Sequence, residues 1–194
     1  GDTTIVAAPN QVAFDIYYGL GATYYDGVSV TFDENFTGSV TGKVEYGASA
    51  GGAGQEGWLD KTQLTIESGT FDIDLFVHSN NTEMTEEEAD EAAITISGGT
   101  FTQEVNTAYI ADGAVLYTTD GDSFTVGTDD EAIDAGISII IDGIGYTEIP
   151  ESVVATVGAE GEVPAGYESL QDAIDAADGD TITLVRDITT TSYT

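Results

Sequence analysis

The sequence predicts a mainly β fold in which short strands stack as successive coils of a solenoid, and three observations carry that prediction. Thr65-Ile66-Glu67-Ser68-Gly69-Thr70-Phe71 is echoed thirty positions later by Thr95-Ile96-Ser97-Gly98-Gly99-Thr100-Phe101: an alternating strand, a small-residue corner, and a restart on an aromatic. A repeated strand-corner-strand unit buries its apolar face only by stacking on its neighbours. Strict alternation runs through Leu64, Ile66, Phe71, Ile73, Leu75 and Val77, with Thr65, Glu67, Asp72 and Asp74 on the opposite face. One side of such strands enters a core while the other carries acid to solvent. Finally, residues 82–93 interrupt the pattern, and within them Thr85 and Glu88 have capping-box spacing, so a short helix is inserted between two coils. Without that insert the offset falls to roughly 20 residues, the length of one solenoid turn.

Along the chain, Ile5-Val6-Ala7-Ala8 is an extended segment stopped by Pro9. An aromatic region follows, with Phe14, Tyr17, Tyr18, Tyr24 and Tyr25 broken by Gly19 and Gly21; paired tyrosines in a strand place one ring inward and one outward. Val28–Phe32 alternates as a strand, 36–44 holds another, and Gly47–Gly57 reads as a loop. Beyond Phe101, the turn Asp120-Gly121-Asp122 lies between Tyr117 and Phe124-Thr125-Val126 and has hairpin chemistry. Asp129–Gly136 reads as an acidic turn, and Ile137–Ile141 as a buried strand. Near the end, Ser169 caps a helix with Leu170, Ala173, Ile174 and Ala177 on one face, Asp178-Gly179-Asp180 stops it, and Thr181–Val185 is a strand.

Composition excludes several functions. Of 194 residues, 36 are acidic and only Lys43, Lys61 and Arg186 are basic, a formal net charge of −33. Such a surface repels phosphate backbones, so nucleic acid is not a partner. Self-repulsion of this size favours a setting rich in salt or divalent ions, such as seawater, brine or a calcium-rich extracellular medium. No cysteine is present, which removes disulfides and thiolate metal sites, and no run of eighteen apolar residues spans a membrane. Gly1-Asp2-Thr3-Thr4 has neither the basic start nor the apolar centre of a signal peptide; a mature exported chain whose leader has been removed fits that start, and so does a cytosolic chain.

Two segments carry a family resemblance. "YESLQDAIDAADGDTITLVRDIT", residues 167–189, resembles the segment that opens right-handed parallel β-helix modules in bacterial cell-surface, adhesin-like proteins. There a short amphipathic helix covers the first coil and a "GDTI.L..DI" strand begins the ladder. "ITISGGTF" followed by "AYIADGAVLYTTDGDSFTV" is similar to the closing unit of the same modules, and residues 1–60 match weakly. The resemblance implies a right-handed parallel β-helix with inserted helices and a small hairpin, exported to the cell surface, with no catalytic set to carry over. Residues 1–60 are then an N-terminal β region supplying first coils or an assembly strand. Residues 61–128 are coils with the helical insert and closing hairpin. Residues 129–194 hold connecting strands, a capping helix and the opening strand of a further module, ending at Tyr193-Thr194 where further coils would follow.

An uncapped β-helix end recruits strands. Ile5 and Val6 at one end, and Ile182, Leu184 and Ile188 at the other, are β-prone and outside the expected closed coils. They are the candidate assembly residues for a self-partnered fibre or lattice. The alternatives are a fragment of a longer chain, and a carbohydrate-binding or carbohydrate-processing module using aromatic or acidic faces, with cell-surface or matrix glycans as partners. Lyase chemistry on β-helices needs a cation beside bound calcium, and three scattered cations argue against an enzyme. His78, the sole histidine, is read as a strand-end residue and not a general base. No cofactor is expected, with calcium the exception: Asp120, Asp122, Asp178 and Asp180, together with Asp129-Asp130, place oxygen ligands at turns, though turn-forming Asp-Gly is the simpler explanation and none of them follows an EF-hand or nonapeptide pattern. Trp58 and the tyrosines offer sugar-stacking faces, and Asn35-Phe36-Thr37 and Asn80-Asn81-Thr82 have glycosylation-acceptor spacing.

Overall fold

The computed structural model describes residues 2–8, 11–18, 28–48, 61–80 and 82–187, the side chain of Glu86 excepted. Strand accounts for 45% and helix for 12%, which places the chain in the mainly β class, and parallel stacked sheets form a β-solenoid of about four turns. Two compact units divide the chain: Gly1–Ala114 with Asp122–Val126, and Val115–Gly121 with Gly127–Thr194.

The first unit contains the solenoid. Its main sheet stacks β1 (Thr4–Val6) and β2 (Val12–Tyr18) on β4 (Ser39–Ala48), β4 on β6 (Thr70–Ser79), and β6 on β9 (Gly99–Phe101), all in parallel. The second sheet stacks β3 (Val28–Phe32), β5 (Thr62–Ile66) and β8 (Ile94–Ile96), also parallel, and a bridge from Ile96 to Ile110 continues it. Coil one is therefore β1 with β2, coil two β3–β4, coil three β5–β6, and coil four β8–β9. Apolar residues in register turn inward and become the core: Val40 over Phe71, Leu64 over Ile94, and Ile66 over Ile96, all buried. Phenylalanines thread all four coils, with ring centroids 5.7 Å apart for Phe14–Phe32, 5.2 Å for Phe32–Phe71 and 5.2 Å for the stacked Phe71–Phe101.

The repeated corner explains the repeated sequence. Gly69 and Gly99 hold φ of 120° and 110°, where a side chain is strained, and the Thr100 N–H donates to the Gly69 carbonyl at 2.9 Å. On the second sheet's side, Glu67, Ser97 and Ala111 N–H groups donate to the carbonyls of Phe32, Ile66 and Ile96, so each coil is hydrogen-bonded to the one before it. Tyr46 crosses the interior. Its fully buried hydroxyl donates to the Thr62 carbonyl and accepts from the Ala93 N–H at 3.0 Å, tying coil two to the starts of β5 and β8.

The insert between coils three and four is β7 (Thr82–Glu83), antiparallel to the end of β6, and α1 (Glu86–Ala89). Thr85 and Glu88 make the expected capping box: the Thr85 N–H donates to Glu88 Oε2 at 3.0 Å and the Glu88 N–H to Thr85 Oγ1 at 3.4 Å. The Thr85 N–H and the Thr85 hydroxyl, both donating to Glu88 Oε2, hold the Glu88 carboxyl below its usual range. Tyr109, in the 3-10 turn Thr107–Tyr109, donates its buried hydroxyl to the Ala89 carbonyl at 3.1 Å, and burial, reinforced by Asp90, pushes its pKa up to about 12.

The second unit contains β10 (Val115–Tyr117), α2 (Asp129–Asp134), β12 (Ile139–Ile141), β13 (Ile144–Tyr146), β14 (Ala155–Gly158), β15 (Ala165–Tyr167), α3 (Leu170–Ala176) and β16 (Thr181–Leu184). Val115, Tyr117, Ala132, Ile137 and Val163 form one apolar cluster; Ala155, Val157 and Ala173 form another, joined by half-buried Leu170, Ala177 and Ile182.

Several expectations need correction. Residues 129–134 are helical, not a turn, because Thr128 and Glu131 repeat the capping box: the Glu131 N–H donates to Thr128 Oγ1 at 3.3 Å and the Thr128 N–H to Glu131 Oε2 at 2.8 Å. α3 begins at its expected Ser169 cap, but Ile174 is 49% exposed, since this seven-residue helix packs through Leu170, Ala173 and Ala177. Gly47 and Ala48 belong to β4 and not to a loop. β16 lies antiparallel to β14, with Ala155 opposite Leu184 and Val157 opposite Ile182, so among the described residues it extends an antiparallel ribbon and begins no parallel ladder.

Candidate functional site

The two ends of the solenoid differ. At coil four, β11 (Phe124–Gly127) runs antiparallel to β9, pairing Phe124 with Phe101 and Val126 with Gly99, so the parallel ladder is closed by a reversed strand. At coil one, β1 and β2 pair only with β4, and β3 pairs only with β5, among the described residues. A sheet edge left in this state presents N–H and C=O groups to any chain able to pair with them.

Backbone phase identifies which groups those are. The Ser39 N–H donates to the Thr3 carbonyl at 3.1 Å and the Ala7 N–H to the Thr41 carbonyl at 2.9 Å, so residues 3, 5 and 7 face β4. Thr4 and Val6 therefore turn their backbone groups to the open side. Ile5 is half-buried beside Val40, while Val6 is 66% exposed. Beside Ala7, Gly42 of β4 has φ 123°, and an added Cβ there would lie 2.5 Å from Ala7 Cβ. In the second unit, β16 has one partner among the described residues, β14, and the Val185 N–H donates to the Val154 carbonyl at 3.1 Å, so Ile182 and Leu184 turn their backbone groups away from β14. Ile182 packs its side chain on Ala155 and Val157, and Leu184 is 55% exposed. Both candidate segments are thus, among the described residues, edge strands already held on one side. Ile188 lies outside the described residues, as do Trp58, Tyr24 and Tyr25.

The candidate calcium ligands lie at two exposed turns. Asp120 and Asp122 are exposed at a turn where Gly121 has φ 80° and its N–H donates to Thr118 Oγ1 at 2.8 Å. Asp178 and Asp180 are exposed beside Gly179, φ 92°, after α3. Among the described residues no group of three or more His, Cys, Asp or Glu side chains is placed to hold a metal ion. No described helix is long and apolar enough to cross a membrane.

One side-chain cluster is invisible in the sequence. On the outward face of the main sheet, parallel register brings Asp15 beside Glu45 and Glu45 beside Phe76, and places Lys43 and His78 on the same two strands. Lys43 Nζ lies 2.8 Å from Glu45 Oε1 and 3.7 Å above the Phe76 ring centre; His78 stacks on Phe76 at 5.1 Å and Tyr17 lies 5.9 Å away. His78 Nε2 is 3.8 Å from Glu45 Oε2. Burial lowers the His78 pKa; Glu45 and Asp15 oppose that shift and Lys43 reinforces it. With 0% exposure, the ring is closed to any substrate in this conformation and works as packing. Tyr18 points into the core and Tyr17 to this outer face, as paired tyrosines in a strand should. Arg186 is equally occupied: Nε donates to the Val153 carbonyl at 2.9 Å and Nη2 to the Pro150 and Ile149 carbonyls at 2.7 and 3.2 Å. The sequence signals neither role, because each depends on neighbours about thirty or more positions away.

Comparison with known protein families, with curated proteins and with solved structures finds no match to this chain.

Proposed function

We propose that this chain is a non-catalytic structural or adhesive protein of the extracellular cell surface, akin to adhesin-like β-helix modules, whose copies join by strand addition. The observation that supports the reading most directly is the open edge of coil one, where Thr4 and Val6 offer backbone groups with no strand beside them among the described residues. Among the described residues, β16 offers a second free edge through Ile182 and Leu184. Neither strand carries a charge, which matters in a chain of net charge −33, because a charged edge would add repulsion where two copies must meet. Exposed Val6 and Leu184 add apolar area that pairing would cover.

Proline substitution tests this cleanly. At Val6 and Leu184 the N–H faces the open side, so Val6→Pro and Leu184→Pro remove a donor from the free edge and leave the bonds to β4 and β14 in place. Electron microscopy and light scattering at rising concentration in moderate salt should show polymers or smaller oligomers for the unmodified chain and a shift to monomers for both variants. Monodisperse monomers of the unmodified chain at high concentration would sink the reading. Selective glycan binding by such monomers would favour the carbohydrate-module alternative.

A further inference from the structure

Coil four is incomplete. β4 and β6 each run ten residues in the main sheet, but β9 runs only three, and the chain leaves the sheet after Phe101. On that side of β6, strand pairing stops at Phe71 opposite Phe101 and resumes at His78 opposite Glu83. Between them β6 has no strand beside it among the described residues.

Backbone phase again shows what faces the gap. The Thr70 and Asn80 N–H groups donate to Gly38 and Ala48, so the even-numbered residues of β6 bond to β4. The Phe71 carbonyl accepts from the Thr102 N–H at 3.0 Å, and the Val77 carbonyl from the Met84 N–H at 3.0 Å, so the odd-numbered residues face the other way. Ile73 and Leu75 therefore direct two N–H and two C=O groups into the break between those two hydrogen bonds. From Phe71 to Val77 the break spans about 20 Å, room for an extended segment of roughly four or five residues.

The break is also a cavity of about 350 Å³, floored by Phe71, Ile73, Val77, Ile96 and Phe101 and bordered by exposed Asp74, Glu83 and Glu104; no Lys, Arg or His lines it. Unused strand-edge groups, an apolar floor and an acidic border together define the ligand: an extended backbone, apolar side chains on the inward face, and cationic side chains at the border. We propose that this break is a docking slot in which a short basic, extended segment of another protein adds as the missing strand of coil four. A second copy fits poorly, because the chain has only three basic residues and Lys43 and Arg186 are engaged within it. The slot is separate from the coil-one and β16 edges and does not depend on polymerisation through them.

The test uses the full chain and a capped Lys-Val-Lys-Val-Lys peptide, followed by calorimetric titration and by amide hydrogen exchange. In the free protein the Ile73 and Leu75 amides should exchange faster than those of Asp72 and Asp74, and the peptide should slow them. Glu-Val-Glu-Val-Glu should not bind. Two peptides, N-methylated at the valines or at the lysines, should differ sharply, since one edge of the added strand meets β6. Glu83→Lys with Glu104→Lys, both on exposed side chains, should weaken binding roughly tenfold. Leu75→Pro should abolish it while keeping the bonds to β4; if that variant fails to fold, the charge reversal and the methylated peptides still decide. Equal binding of both methylated peptides, binding of the acidic peptide, or exchange at Ile73 and Leu75 unchanged by the basic peptide would overturn the proposal.

Discussion

At the scale of single residues, stability rests on a few polar atoms placed where water is absent. The Tyr46 hydroxyl serves the Thr62 carbonyl and the Ala93 N–H at once, from a side chain with no exposed surface. Tyr46→Phe keeps the ring and strands both partners, so unfolding in denaturant should show a loss of about 2 kcal/mol or more; an unchanged midpoint would mean that both groups find other partners. His78 supplies a pH dependence. Its folded-state pKa lies below the ordinary value of 6.5, so the unfolded chain binds the extra proton first, and the stabilising contribution present above pH 6.5 is lost as pH falls toward the folded value. The carboxylates and the net charge titrate as well, so the readout is a difference. Stability of the unmodified chain minus that of His78→Gln should fall between pH 7 and pH 5, whatever the absolute level, and a flat difference would refute the assignment.

At the scale of elements, the corner between sheets is what repeats, and glycine carries it. An alanine Cβ at Gly69 would sit 2.5 Å from Phe36 Cδ1, with φ at 120°, whereas one at Gly121, φ 80°, would have nothing within 4 Å. Gly121→Ala should therefore cost about 1 kcal/mol from backbone strain alone, and Gly69→Ala roughly 2–4 kcal/mol once the displaced ring is included. Equal losses in thermal unfolding would show that Phe36 gives way freely. This corner was legible because a solenoid writes the same local problem into the chain twice. The same logic made α1 legible from Thr85 and Glu88. α2 carries an identical Thr128 to Glu131 spacing, yet it buries only Ala132, and a helix without an apolar stripe leaves no periodic signal inside an acidic run. β16 was legible as a strand, but its antiparallel direction was not, since pairing direction is set by the long-range neighbour and not by alternation. The Lys43, Glu45 and His78 cluster and the break in coil four escaped for the same reason: both arise from register between strands, and register is not a local property.

At the scale of the molecule, charge sets the terms on which coils and copies approach one another. The coils carry outward acid, such as Asp72 and Asp74 on β6, and register sets Asp15 of β2 beside Glu45 of β4, while three cations cannot balance 36 carboxylates. One coupling shows how the fold relieves this locally: Thr102 Oγ1 donates to Asp72 Oδ1 at 2.6 Å, holding one carboxylate on a neutral partner in the next coil. Most of the remaining repulsion acts through solvent and is screened with a length of about 10 Å at 0.1 M salt. Raising sodium chloride from about 10 mM to about 0.5 M shortens that length from roughly 30 Å to under 10 Å, and a gain of about 1–2 kcal/mol would raise the unfolding midpoint by roughly 2–8 °C. The proposed association through β1 and β16 should follow the same trend, because two bodies of like charge must meet at uncharged edges. Light scattering across the same salt series should show association setting in at lower protein concentration as salt rises, and that onset should disappear in Val6→Pro. A midpoint independent of salt would show that acid spacing along the coils already keeps repulsion small. Salt-driven association that persists in Val6→Pro would show that screening brings copies together through some surface other than the open first coil.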